Sequence, residues 1–120
     1  MAAERIERSR WASFFSSLTK ALVGKTAEVE VDSLDLGEQI AAEWAPLIGI
    51  AYDHKDDLIE VALEDFDHLI RSPDKVFVDS GVGGLVAIEI VDKDGNQQII
   101  RLKDPLTLSS PQHASTGAEQ

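Results

Sequence analysis

The sequence predicts one α+β domain, in which an N-terminal amphipathic helix packs on a strongly bent, mostly antiparallel sheet of five or six strands. Three observations lead to this prediction. One early segment has apolar residues at helical spacing, later segments alternate apolar and polar residues or form short apolar runs, and short polar turns separate them. Short links favour antiparallel pairing, and one helix must cover an apolar sheet face. A sheet bent this strongly can also curl into a small barrel.

The helix is predicted over residues 9–23, where apolar side chains recur every three or four residues and serines occupy the other side. Ser9 is a suitable N-cap, and Gly24 stands where a glycine commonly ends a helix. We expect the apolar stripe to seal the sheet. It consists of Trp11, Phe14, Phe15, Leu18 and Leu22.

The first strands are predicted in the segment from residue 26 to residue 63. Residues 26–32 alternate apolar and acidic side chains, as a strand with one wet face does. Residues 33–46 fit a helix or a strand, and neighbouring strands favour a strand at 38–44. Residues 47–52 and 58–63 are apolar runs around the polar turn 53–57, which indicates a hairpin.

After this hairpin, one or two helical turns are predicted over residues 65–71, with Phe66, Leu69 and Ile70 facing inward and Pro73 ending the helix. Strands then follow at 75–79, 85–91 and 98–102. A glycine-rich turn separates the first two, and the turn at 92–96 contains Asp-Gly, a strong hairpin signal.

The chain of 120 residues is the length of one domain. We expect a flexible head at residues 1–8, the α+β domain at 9–105, and a disordered tail at 106–120. The tail is predicted because its composition turns to Pro, Ser, Thr and Gln.

Composition excludes several classes of site and partner. The net charge is −11, and an acidic surface repels phosphate, so we expect neither nucleic acid nor membrane as a partner. The absence of cysteine excludes disulfides, Cys-ligated zinc, iron–sulfur clusters and a thiol nucleophile. The charged start lacks an apolar signal core and no run is long enough to cross a bilayer, which favours a cytoplasmic location.

Two groups of acidic and histidine residues are candidates for chemistry. His54 lies in an aspartate-rich turn, and Asp65, Asp67 and His68 crowd a predicted helix start. Asp65 and His68 have the i, i+3 spacing of a weak alternative metal site. Because carboxylates also favour a helix N-terminus, we interpret these residues as a helix cap. We therefore predict no catalytic set, no metal and no cofactor.

Apolar residues on both faces of several strands favour self-association. Leu58 and Ala62 oppose Ile59 and Val61 along one strand, and a single helix covers too little to bury all such surface. Trp44 is a candidate anchor for a partner if it lies on the uncovered face of the sheet.

Several segments of the chain form a distinctive set. The most distinctive is the run Asp67-His68-Leu69-Ile70-Arg71-Ser72-Pro73. The others are Arg10-Trp11 with Phe14-Phe15, Val29-Glu30-Val31, Gly49 to Asp53 with Asp56-Asp57, Val91-Asp92 to Gly95, and Ile99 to Leu102. In these segments, over about residues 9–103, the chain resembles a family of small bacterial proteins of unknown function. The resemblance implies a compact stand-alone cytoplasmic domain and makes Asp67, His68 and Arg71 the first residues to mutate.

Two hypotheses of function follow. The leading one is an uncharacterised, non-catalytic acidic domain that acts through protein–protein contacts, as a homo-oligomer or with another protein. The binding candidates are Asp67, His68, Arg71 and Trp44. The alternative is a small-molecule- or metal-dependent enzyme whose two Asp/His loops converge.

Overall fold

A computed structural model of the chain describes residues 2–22, 24–64 and 66–106. Within these ranges the chain forms one α-helix, α1 (Trp11–Leu22), and one sheet of eight strands. A short 3-10 helix at Arg8–Arg10 precedes α1. The strands are β1 (Ala2–Ile6), β2 (Thr26–Ser33), β3 (Gly37–Asp53), β4 (Leu58–Leu63), β5 (Phe66–Arg71), β6 (Pro73–Gly81), β7 (Gly84–Asp92) and β8 (Gln97–Leu106).

The strand order is β1-β6-β7-β8-β2-β3-β4-β5, and every pair in it is antiparallel. This confirms the antiparallel α+β prediction but corrects the number of strands from five or six to eight. Within the described ranges β1 and β5 are the two ends of the sheet and do not pair, so the sheet is open and not the small closed barrel that we considered. One added strand, β1, comes from the expected head and pairs with β6 from Ala2↔Ser80 to Ile6↔Val76.

The prediction of helical turns over residues 65–71 is wrong, because Phe66–Arg71 is strand β5. It pairs with β4 from Leu63↔Phe66 to Leu58↔Arg71. A six-residue segment is too short for helical spacing to decide, and the cross-strand hydrogen bonds available beside β4 favour the extended form. Asp65, the expected cap of these turns, lies outside the described residues.

Helix α1 confirms the predicted apolar stripe. Trp11, Phe15, Leu18 and Leu22 are buried, and the Trp11 Nε1–H donates a hydrogen bond of 2.9 Å to the Ile6 carbonyl. Gly24 has φ +88°, the left-handed conformation expected of a glycine after a helix. Ser9 is not an N-cap, because it lies inside the 3-10 helix.

Strand β3 joins two parts of the sheet. Residues 37–46 pair with β2, and residues 47–53 pair with β4. The strand prediction for 38–44 is therefore confirmed, and the hairpin predicted from 47–52 and 58–63 is confirmed as β3 and β4. Extra residues in β3 break the register between Ile40 and Ala42, between Ala42 and Ala45, and between Leu47 and Gly49. Such bulges bend a strand.

The apolar face of α1 and the inner faces of the strands enclose one continuous core. Helix α1 lies along β3, where Thr19 meets the backbone of Ile50. The Thr19 hydroxyl donates to the Ile50 carbonyl at 2.8 Å and accepts from the Ile50 N–H at 2.9 Å. This side chain therefore satisfies backbone groups of β3 that no strand of the described ranges pairs with on that side, and it fixes the helix on the sheet.

The remaining turns follow the prediction. Strands β6 and β7 join through the glycine-rich turn, and β7 and β8 join through residues 93–96. Strand β8 runs on to Leu106, four residues beyond its predicted end. The rest of the predicted tail, residues 107–120, lies outside the described residues.

Candidate functional site

Exposed apolar side chains concentrate in one segment of the chain. Eight large apolar side chains are exposed among the described residues, and five of them lie between residues 34 and 48. Single exposed apolar residues are ordinary, but several in one segment indicate a contact surface. Three of them lie in or beside the first half of β3 and define the surface that we call the β3 edge: Leu36 (73% exposed), Ile40 (49%) and Trp44 (44%).

Among the described residues, the β3 edge is free because the first half of β3 has a strand on one side only. Residues 37–46 pair with β2, whereas pairing with β4 begins at Leu47. In the part of the chain that the structure describes, no strand pairs with the other side of residues 37–44. A free edge presents backbone donors and acceptors to any strand that comes alongside.

Trp44 is held in an unusual backbone conformation within this edge. Its φ is +43°, in the left-handed region that costs a residue with a side chain roughly 1–3 kcal/mol, and it lies in a bulge of β3. Nearly half of the side chain is nevertheless exposed. The structure thus places this predicted anchor on the surface, where a large aromatic side chain can enter a partner.

The face of the sheet beside the β3 edge is acidic. Ile40 pairs with Glu30 and therefore shares its face. Arg101 on β8 forms ion pairs with Glu30 and, at 3.4 Å between Nη1 and Oε1, with Glu28. The hydrogen bond from Arg101 lowers the pKa of Glu30 although burial opposes this, and the Glu30 charge raises the pKa of Glu38.

Three of the predicted site residues lie on β5, and the strand separates them. Asp67 and His68 are adjacent, so their side chains point to opposite faces of the sheet. The His68 Nε2 atom lies 2.7 Å from Gln98 Oε1 on β8, whereas Asp67 is close to Glu60 and raises its pKa through a hydrogen bond and its charge. Arg71 is exposed at the end of the strand.

The two Asp/His loops of the enzyme hypothesis do not meet. The Asp57 carbonyl accepts a hydrogen bond from the Ser72 N–H, at the opposite end of β5 from Asp67. The Asp65–His68 spacing of the weak metal alternative required a helix, and residue 68 lies in a strand. Within residues 2–22, 24–64 and 66–106, no three His, Asp or Glu side chains are grouped to hold a metal ion.

A polar cluster that sequence reasoning missed ties the N-terminal segment to two hairpins. Arg8 Nη1 donates to Tyr52 Oη at 3.2 Å and to Asp57 Oδ1 at 3.1 Å, and Tyr52 donates to the same Asp57 oxygen at 2.9 Å. The Arg8 guanidinium also lies 4.3 Å from the centre of the Trp11 ring. Lys93 adds an ion pair of 3.6 Å to Asp57.

This cluster has defined protonation preferences. Burial, followed by the hydrogen bond to Asp57, raises the pKa of Tyr52. Burial would also raise the pKa of Asp57, but the hydrogen bonds from Tyr52 and Arg8 and the charges of Arg8 and Lys93 lower it overall. Asp57 is therefore an anion at neutral pH that holds Tyr52 as a neutral donor, and this fixes the hairpin turn against the helix start.

Replacing Tyr52 with phenylalanine should reduce the free energy of unfolding by about 1–3 kcal/mol, because the hydroxyl makes hydrogen bonds with the charged groups of Asp57 and Arg8. The ring, which meets Trp11 edge-on at 5.1 Å, stays in place, so only the hydroxyl is lost. Urea denaturation measures the change. Lys55→Gln in the adjacent exposed turn is the control and should be neutral, and a Tyr52→Phe protein as stable as the wild type would contradict the assigned role.

A groove of about 570 Å³ lies beside α1, which packs along β3, and reaches the outer face of β4 at Glu60 and Ala62. The helix approaches closely there because residue 49 is glycine, and a Cβ at Gly49 would lie 2.7 Å from Thr19 Cγ2. The groove is lined mainly by apolar atoms. Its lining residues are Ala12, Ser16, Thr19 and Lys20 on the helix, Ile48 to Tyr52 on β3, and Glu60 and Ala62 on β4.

The sequence contains incomplete signals for the Arg8–Tyr52–Asp57 cluster and for the groove beside α1. Gly49 within an apolar strand is a signal that another backbone approaches closely. Tyr52 and Asp57 belong to the segments that carry the family resemblance, whereas their partner Arg8 lies in the predicted flexible head. Among the described residues, no helix combines the length and the apolar character needed to cross a bilayer.

Comparison with known proteins gives one family and one relative. The family model described as "Family of unknown function (DUF5335)" matches residues 2–111. An "Uncharacterized protein" from Aquifex aeolicus (strain VF5) is 37% identical over 109 residues, which cover 90% of this chain and 98% of that protein. No solved structure matches the chain.

Proposed function

The chain belongs to the family of unknown function DUF5335, and from this premise we propose that it is a non-catalytic domain that works by pairing its β3 edge with the β3 edge of a second copy. The observation that carries the proposal is the coincidence, in residues 34–44, of a free strand edge with exposed Leu36, Ile40 and Trp44. The product is a two-fold symmetric homodimer, because the same surface serves both partners.

One antiparallel register suits the edge. With the two-fold axis at Ile40, this residue faces its own copy, and Leu36 approaches Trp44 of the partner. Glu38 then lies opposite Ala42 and Glu43 opposite Gly37, so no two carboxylates meet directly. Direct like-charge pairs across strands are destabilising, whereas apolar and aromatic pairs contribute roughly 0.2–1 kcal/mol each.

Net charge and bulges moderate this pairing. Each copy has a net charge of −11, so two copies repel one another, and the association should strengthen as salt screens the repulsion. Binding to an oppositely charged partner would instead weaken as the salt concentration rises. The bulges beside Ala41 and Trp44 limit regular pairing to a few residues, which favours a closed dimer over an extended fibre.

Cysteine cross-linking tests the proposal directly, because the wild-type chain has no cysteine. Ile40→Cys should form a symmetric disulfide dimer under mild oxidation, at least about tenfold faster than collision alone, because pairing raises the local concentration of the two thiols. Val82→Cys is the matched control, since Val82 is fully exposed in the β6–β7 turn, away from the edge.

A second substitution shows whether the apolar surface drives the cross-link. Trp44→Asp in the Ile40→Cys protein should slow disulfide formation, whereas Leu69→Asp, at a residue that is also 44% exposed but lies on β5, should leave the rate unchanged. Equal rates for the Ile40→Cys and Val82→Cys proteins, or a strict monomer in concentrated solution by sedimentation, would overturn the proposal.

A further inference from the structure

We propose that the groove between α1 and strands β3 and β4 binds a small linear amphipathic molecule with an amino group at one end, a carboxylate at the other and an apolar chain between them. The groove lies at the second half of β3, and the proposal does not depend on dimer formation. It rests on three properties of the lining: an acidic end, a basic end and an apolar floor between them.

The acidic end is formed by Glu60, with Asp67 beside it. Glu60 lies opposite Ala51 on β3, and Asp67 lies opposite Ala62, so both carboxyl groups are on the outer face of the sheet. Glu60 is half-buried and lines the groove. Two neighbouring carboxyl groups repel each other, and a bound ammonium group would relieve this repulsion while donating hydrogen bonds to them.

The basic end is formed by Lys20. Its neighbour Thr19 is fixed to Ile50 and lies against Gly49, and Lys20 lines the groove together with Ile48. From Ala51, which lies opposite Glu60, to Ile48 the strand advances roughly 10 Å, at about 3.3 Å per residue. This stretch of the groove therefore has about the length of an extended chain of several carbons.

The floor between the ends is apolar and smooth. It is built from Gly49, Ala51, Ala62 and Ala12, whose side chains are absent or single methyl groups. The hydroxyl of Thr19 is already engaged by Ile50 and the hydroxyl of Tyr52 by Asp57, so neither competes for the ligand. A volume of about 570 Å³ lies within the usual range for small-molecule sites.

Four linear probes with six carbon atoms each separate the contributions of the two ends: 6-aminohexanoate, hexylamine, hexanoate and hexanol. Each is titrated into isotopically labelled full-length protein while the backbone amide signals of Gly49, Ala51 and Ala62 are followed by NMR. We expect 6-aminohexanoate to shift these signals at the lowest concentration, the two singly charged probes to require more, and hexanol to require the most.

Charge-neutralising variants identify the residues that recognise each end. Glu60→Gln should weaken 6-aminohexanoate and hexylamine but not hexanoate, and Lys20→Gln should weaken 6-aminohexanoate and hexanoate but not hexylamine. Glu64→Gln and Lys55→Gln, at exposed positions outside the groove, should change nothing. Equal responses to all four probes, no shift of the groove amides, or unchanged binding in both groove variants would overturn the proposal.

Discussion

Replacing Arg101 with glutamine should destabilise the folded protein by about 2–3 kcal/mol at neutral pH. The variant leaves Glu30, which is buried, without its ion-pair partner, and the neighbouring carboxylate Glu28 then only repels it. Removing one member of a fully buried pair costs roughly 3–5 kcal/mol. We expect a smaller loss for Arg101→Gln because solvent screens the partly exposed guanidinium.

The loss should depend on pH in a defined direction. In the wild type the pKa of Glu30 is lowered on folding, so its ionisation stabilises the fold above the unfolded pKa, and that contribution is lost as pH falls through the folded pKa. In Arg101→Gln, burial should raise the pKa of Glu30 instead, because the hydrogen bond and the charge of Arg101 no longer oppose it. The variant is then penalised above the unfolded pKa of glutamate, about 4.3, and is relieved on acidification, so the two stabilities should approach each other as the pH falls below this value.

Urea denaturation of both proteins between acidic and neutral pH measures this difference. Lys103→Gln, which removes a positive charge from an exposed position two residues further along β8, controls for the change in net charge. A stability difference that stays constant with pH would contradict the role assigned to the Arg101–Glu30 pair. The double replacement Glu30→Leu with Arg101→Met should recover most of the stability, because it removes the buried charge together with its partner.

Replacing Gly49 with alanine should destabilise the fold by about 2 kcal/mol through overpacking. The new methyl group would lie 2.7 Å from Thr19 Cγ2, closer than two carbon atoms approach. Thr19 cannot easily rotate away, because its hydroxyl makes two hydrogen bonds to the Ile50 backbone. The helix would have to move off β3, which opens the core beneath it.

Thr19→Ser is the matched variant for this test. It removes the Cγ2 methyl group but keeps the hydroxyl and both hydrogen bonds to Ile50. Gly49→Ala should therefore cost less than about 1 kcal/mol in the Thr19→Ser background, and the difference is the coupling energy of a double-mutant cycle measured by thermal or urea denaturation. If the effects of the two substitutions are additive, contact with the Thr19 methyl group is not what excludes a larger side chain at residue 49.

The local elements were predictable because short-range patterns determine them. The stripe from Trp11 to Leu22 has one helical solution, and the Asp-Gly turn before β8 has one favoured hairpin geometry. Segment 66–71 was not predictable in the same way, since its apolar residues fit one helical turn as well as one strand. Pairing along β4 decided between them.

The predicted site residues show the same division. Trp44 could be proposed as an anchor from its type and from the ambiguity of its segment, but only the structure gives its exposure and its left-handed φ. Asp67 and His68 looked like one site on a helix, and in a strand they face opposite ways. Arg8 was unrecognised as a partner of Asp57 because 49 residues separate them.

By itself the sequence determined the class of the protein: an acidic, cysteine-free chain of the α+β class with an N-terminal amphipathic helix and an antiparallel sheet, in a family of unknown function. Only the tertiary structure decided which strand edge stays open, which carboxylates become neighbours and where the helix leaves a groove. These three properties depend on strand order and register, which are selected by contacts between residues that are distant in the sequence. The local spacing of apolar and polar residues does not specify strand order or the pairing of distant strands.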